Sequence, residues 1–168
     1  MSGRSIKKGA RKTARPADAT LSYGLLGDLI GYHLRRAQAV VFDDFMRAMA
    51  DSRITPGQFG VLTMIQANPG ISQSALARAL GIERSTMVAV IDELEARALA
   101  ERGTARHDRR THALALTAKG AALVKALEPK VRRHEQRIAG DLSKTEIRRL
   151  IALLRRLSKV KGSRTEPS

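Results

Sequence analysis

Arginine is concentrated at two places where its rigid fork of donors can meet phosphate or a base edge. Arg84 stands with Ser85 and Thr86 at the start of a helical stretch, while Arg106, Arg109 and Arg110 flank Asp108 in the polar run 103–110. A guanidinium takes guanine O6 and N7 bidentately in a major groove, and the negative potential of a minor groove favours arginine. Ser72, Gln73 and Ser74 open another short helix, whose free N–H groups and hydroxyls suit phosphate. A third cluster, Tyr32, His33, Arg35 and Arg36, places Tyr32 and Arg36 one turn apart, so their polar groups share a face expected near Phe59 and Leu62. An arginine pair there can hold a carboxylate or phosphate bidentately. The competing reading is a set of surface charges around a packed tyrosine.

Other chemistries lack their residues. There is no cysteine, which removes disulfides, thiolate nucleophiles and Cys-ligated zinc. His33, His107, His112 and His134 are scattered without ligand spacing, so no metal is expected. No nucleophile elbow, phosphate loop or dinucleotide fingerprint is present, so neither an enzyme nor a bound cofactor is expected.

The elements that must position these residues follow from apolar periodicity. Residues 1–20 show none and read as a flexible basic arm. From Leu21 onward, apolar residues recur at three- and four-residue steps through Leu34, Val41 and Phe45 to Ala48. The pattern predicts one amphipathic helix of about 29 residues, roughly 43 Å long, needing a partner along its length. Thr55-Pro56-Gly57-Gln58 is a capping box opening a second helix through Ile65. Ser72 caps a third, which ends at Gly81, and a fourth runs from about Glu83 to Arg97. Leu76, Ala77 and Leu80 facing Ile82, Met87 and Val90 across Gly81 have the inner pattern of a helix-turn-helix.

Beyond Leu99 the period shortens. Ala100–Arg102 and Thr111–Leu116 are predicted as two strands around the basic tip, a wing behind the helix-turn-helix. Thr117 starts a fifth helix to about Ala139, with a kink or break expected at Pro129. Ser143-Lys144-Thr145-Glu146 is a second capping box, opening a helix with the stripe Ile147, Leu150, Ile151, Leu154, Leu157.

The 168 residues carry 31 Lys or Arg against 16 Asp or Glu, a formal charge of +15 that favours a polyanionic partner. Placement matters more than the total. Residues 21–100 come to −1, whereas 1–20 carry +5, 101–154 carry +7 and 155–168 carry +4. Bases would be read by few charges, with sequence-blind grip supplied around them. Aromatic residues at 3% are too few for single-strand stacking platforms. No apolar run approaches the ~20 residues of a membrane span, and the N-terminus lacks a secretory signal, so a cytoplasmic protein without membrane contact is expected.

Asp108-Arg109-Arg110, Leu114-Ala115-Leu116-Thr117 and Gly120 resemble the wing signature of MarR-type transcription regulators, and Ser85-Thr86 through Ile91-Asp92-Glu93-Leu94-Glu95 and Leu99 resemble that family's recognition helix. The resemblance spans about residues 21–158. It implies a mainly α fold with a small β-wing: a winged helix-turn-helix with long N- and C-terminal dimerisation helices. The organisation expected is an arm at 1–20, a dimerisation and ligand helix at 21–54, the DNA-binding domain at 55–117, C-terminal dimerisation helices at 118–160 and a tail at 161–168. The implied partners are double-stranded DNA with a pseudo-palindromic operator, a second copy of the chain as homodimer, and a small anionic or aromatic effector. Gly-Tyr-His-Leu-Arg-Arg-Ala-Gln at 31–38 is similar to the first helix of members sensing aromatic acids or their CoA thioesters. In the family the Asp-x-Arg pair enters the minor groove, which implies that Asp108 orients Arg110. Many relatives carry a hydroxyl residue and a base-reading Arg where this chain has Val88-Ala89, which shifts base reading toward Arg84, Ser85 and Thr86. The expected function is a repressor released from its operator by the effector. The alternatives are an architectural, sequence-tolerant DNA-coating protein and, disfavoured by the near-neutral first helix, a membrane-surface helix protein.

Overall fold

The computed structural model describes residues 21–105 and 108–159, with the side chains of 104–112 excepted. The expected arm, the tail, Arg106 and His107, and the side chains of Asp108, Arg109, Arg110 and His112 lie outside the described residues. The chain divides into two compact units, 1–37 and 38–168, the boundary falling inside one helix.

The first unit departs from the single long helix expected. A short 3-10 helix, Gly24–Asp28, is followed by extended Leu29 (ψ 118°), and α1 begins only at Ile30, running to Ala48. Glycine is the reason: Gly24 sits at φ +49°, and Gly24, Gly27 and Gly31 each cost about 1 kcal/mol in a helix relative to alanine. Apolar spacing carried on through a segment whose backbone does not favour a continuous helix.

In the second unit α2 (Pro56–Ala67) opens with the complete capping box: Gln58 N–H donates to Thr55 Oγ1 at 3.2 Å and Thr55 N–H to Gln58 Oε1 at 3.1 Å. α3 (Gln73–Leu80) is capped by Ser72, whose Oγ accepts from Ala75 N–H at 3.2 Å. Gly81 turns the chain in the left-handed region at φ +65°, and α4 (Arg84–Ala96) follows. The hairpin is longer than expected: β2 spans Ala100–Ala105 and β3 Asp108–Leu116. Its ladder is a backbone property, so pairing continues through Gly103↔Ala113 and Thr104↔His112 into polar sequence, with a shift in register between Thr104 and Ala105. A third strand, β1 (Ile71–Ser72), was not foreseen. It pairs antiparallel with β3 as Ile71↔Leu114 and Ser72↔Ala113, giving the order β1-β3-β2.

Of the kink or break expected at Pro129, the break does not occur: α5 (Ala118–Ala139) runs as one helix. Buried Val124 and Leu127 before it, and packed Val131 and buried His134 after it, fix both halves on the same core. Ser143 opens α6 (Lys144–Leu157) with the second capping box. The core gathers Phe45 and Met49 from α1, Val61, Leu62 and Ile65 from α2, Leu76 from α3, Met87, Ile91 and Leu94 from α4, and Leu114 from β3, each buried. An ion cluster ties α1 to α5: Asp44 accepts from His134 Nδ1 at 2.7 Å and from Arg137 at 2.9 Å. His134 is buried with its ring edge-on to Phe45. The hydrogen bond from Arg137, followed by that from His134, holds the Asp44 carboxyl well below the usual carboxylate range.

Candidate nucleic-acid interface

α3 and α4 bring their N-termini to one cleft of about 130 Å³, lined by Gln73, Ser74, Ala77, Arg84, Met87 and Val88. Of the residues expected to meet DNA, this joins Gln73, Ser74 and Arg84, with Ser85 and Thr86 exposed on the same first turn of α4. Ser72 is engaged as the α3 cap, a role compatible with a nearby phosphate.

The start of α4 has no side-chain cap. Glu83 occupies the N-cap position yet makes no capping bond, and its carboxylate instead accepts from Ser85 Oγ at 2.6 Å. No acidic residue stands in the first turn, where Arg84 is exposed. Helix N-termini ordinarily favour acidic side chains, so an uncapped start with an arginine suits an anion arriving from outside. One turn on, Val88 and Ala89 are exposed.

Behind the helices, Arg102 of β2 joins three elements. Its guanidinium donates to Glu95, to Asp92 Oδ1 at 2.7 Å and to Gln73 Oε1 at 3.3 Å, and its backbone N–H donates to Glu95 Oε1 at 2.8 Å. Sequence reasoning missed it because the partners lie 7, 10 and 29 residues away, at no common spacing.

The first unit gathers part of the expected ligand cluster. Arg36 donates to Tyr32 Oη at 3.4 Å and stacks 5.7 Å from the Tyr32 ring centroid and 5.9 Å from that of Tyr23. The hydrogen bond to Tyr32, then electrostatic interaction with Tyr32 and Tyr23, raise the Arg36 pKa above its ordinary value. Tyr23 was missed because the break at Leu29 removes any helical relation to Tyr32. His33 donates through Nε2 to Gly27 O at 2.7 Å, closing the break between the 3-10 helix and α1. Arg35 is exposed and outside the cluster. In the second unit, Phe59 lines an open cleft of about 530 Å³ with Glu128, Val131, Arg132, Glu135 and Gln136, whereas Leu62 is fully buried and serves packing.

The family model described as MarR family matches residues 54–111, the span from the α2 cap into the wing. A putative transcriptional regulatory protein for the hcr operon of Thauera aromatica is 39% identical over 153 residues, covering 90% of this chain and 92% of that protein. The chain belongs to the MarR family. It is a transcription regulator of MarR type, with the winged helix-turn-helix that the type implies. Among solved structures similar to this MarR-family chain is the transcriptional repressor CouR bound to a 23-mer DNA duplex, with 41% identity, a TM-score of 0.78, and coverage of 83% of this chain and 99% of that one. CouR bound to p-coumaroyl-CoA is similar at 38% identity and TM-score 0.77, over 84% and 99% of the two chains. Among the described residues of this MarR-family chain, no helix is long and apolar enough to cross a membrane, and no group of three or more metal-ligating side chains is assembled.

Proposed function

We propose that this regulator is a repressor that binds a pseudo-palindromic duplex as a homodimer and leaves it when an aromatic acid or its CoA thioester binds. The observation that carries the DNA half is the first turn of α4: Arg84, Ser85 and Thr86 exposed at an uncapped helix start, Arg84 sharing a cleft with Gln73 and Ser74 of the α3 N-terminus. In this reading Arg84 takes guanine, Val88 meets a thymine methyl, and Ser72, Gln73 and Ser74 meet phosphate. The wing residues Arg106, Asp108, Arg109 and Arg110 enter the adjacent minor groove, Asp108 orienting Arg110. Homodimerisation is supported by α6, whose Leu150, Ile151, Leu154 and Leu157 are 40–46% exposed in one chain.

The effector half draws support from CouR, similar in fold and described with both a DNA duplex and p-coumaroyl-CoA. In the first unit, Arg36 beside Tyr23 and Tyr32 has the chemistry for a carboxylate or phosphate. In the second, Phe59 and Val131 offer apolar contact for an aromatic ring in a cleft otherwise lined by Glu128, Arg132, Glu135 and Gln136. Binding-site selection from random duplexes tests the first half: a palindrome held against excess random DNA at physiological salt is expected, whereas sequence-tolerant binding would mark an architectural protein. Isothermal titration with hydroxycinnamate-type acids and their CoA esters tests the second, and no heat from either class removes it. A monomeric mass by analytical ultracentrifugation at micromolar concentration removes the dimer.

A further inference from the structure

We infer that Arg102 is a positioning residue for base reading: it fixes the root of the wing to both helices of the helix-turn-helix and aims the Gln73 amide outward. The inference rests on the DNA-reading function proposed above. Arg102 stands on β2 opposite Leu114, where the strand leaves the core toward the wing tip. Its side chain is 21% exposed, while its acceptors Asp92 and Glu95 lie on α4 and Gln73 on the first turn of α3.

The chemistry of the donors sets the geometry. Arginine has only donors, so the Gln73 atom facing it must be the carbonyl oxygen, and among the described residues the N–H groups of that amide make no hydrogen bond. Glu95 is held twice, by the guanidinium and by the Arg102 backbone N–H, so α4 cannot rotate about its axis without breaking one of these. Asp92 completes the fork one turn earlier on α4. A planar guanidinium can satisfy three acceptors on two helices at once, whereas an ammonium is a point charge without a fixed fork. The charge of Arg102 is already offset by two carboxylates, so it is not a phosphate contact; it sets the angle at which Arg84 and the wing approach a duplex.

Two variants preserve the formal charge of the cluster while breaking the fork: Arg102→Lys, and the double variant Arg102→Gln with Glu95→Gln. Each is measured as full-length protein on the duplex recovered by random-sequence selection and on a shuffled duplex, across a salt series, after thermal unfolding shows it folded at the assay temperature. The expected result is a fall of about tenfold in preference for the selected duplex, the size of one wrong base pair. Affinity for the shuffled duplex and its salt slope should stay at wild-type values. Should neither variant fold, Asp92→Asn at the exposed end of the network replaces them, with a smaller fall in preference expected. A folded variant with unchanged preference overturns the inference. So does a parallel loss on both duplexes with a salt slope lower by about one, which is the mark of a phosphate contact. Wild-type protein without preference for any duplex removes the DNA-reading premise instead.

Discussion

Replacing Gly120 by alanine strikes the junction between the wing and α5. A Cβ at Gly120 would lie 1.8 Å from the Leu99 carbonyl oxygen and 2.8 Å from its carbon, both backbone atoms. Carbon and carbonyl oxygen keep about 3.3 Å apart even in favourable contact, so the start of α5 must retreat by about 1.5 Å. Two bonds span that gap, Thr117 N–H to Leu99 O at 3.2 Å and Thr117 Oγ1 to Ala98 O at 2.7 Å. Their loss costs about 1 kcal/mol each, and overpacking adds ~1–3 kcal/mol. Against this, alanine in a helix gains about 1 kcal/mol over glycine. The net effect is a destabilisation of about 2–4 kcal/mol, or a midpoint lower by roughly 4–16 °C for a chain of this size. Urea denaturation at fixed protein concentration measures it, with an unchanged denaturant slope showing that the loss lies in the folded state. A Gly120→Ala protein as stable as wild type, or more so, would mean that only the helix-propensity gain operates and that the close approach to Leu99 is wrong.

Thr55→Ala removes one half of the α2 capping box and should cost about 1 kcal/mol by the same assay, with Thr55→Ser recovering most of it. Arg84→Ala should relax base preference at one position of the selected site by about 1–3 kcal/mol, while affinity for random duplex changes little; an equal loss on all sequences would deny it a base contact. The Asp44 carboxyl is depressed in the folded protein, so its contribution is fully present above the unfolded value of 3.8 and is lost as pH falls below it. Stability curves of wild type and Asp44→Asn should therefore run parallel above about pH 5 and converge in acid. Curves that stay parallel down to pH 2 would show that the bonds from Arg137 and His134 contribute nothing.

Legibility in the sequence followed locality. Thr55, Ser72 and Ser143 announced their helices because a cap and its partner lie within three residues. Gly81 marked the turn for the same reason. β1 was hidden, since two residues have no periodicity and its partner strand lies about forty residues on. The N-terminal helix is broken although leucines at helical spacing run through it, because glycines stand between them, and α5 stays unbroken at Pro129 because residues on both sides pack on one core. Residue types alone singled out Arg84 and Gln73, which the fold brings to one cleft, whereas Arg102 and Tyr23 stand out only through partners that the fold brings in. Leu62 illustrates the converse: its neighbourhood in sequence suggested a ligand, and its burial assigns it to the core.

Ser72 is at once a strand residue paired with Ala113 and the cap of α3. The foot of the hairpin and the start of α3 therefore share a single residue. Lengthening or shortening the chain beyond Thr104 leaves that foot in register. One residue inserted between Ala113 and Thr117 would turn the side chains of β3 to the opposite face and pull the cap out of α3. The reach of the hairpin can thus vary without disturbing the start of α3, so the far end tolerates divergence that the foot does not.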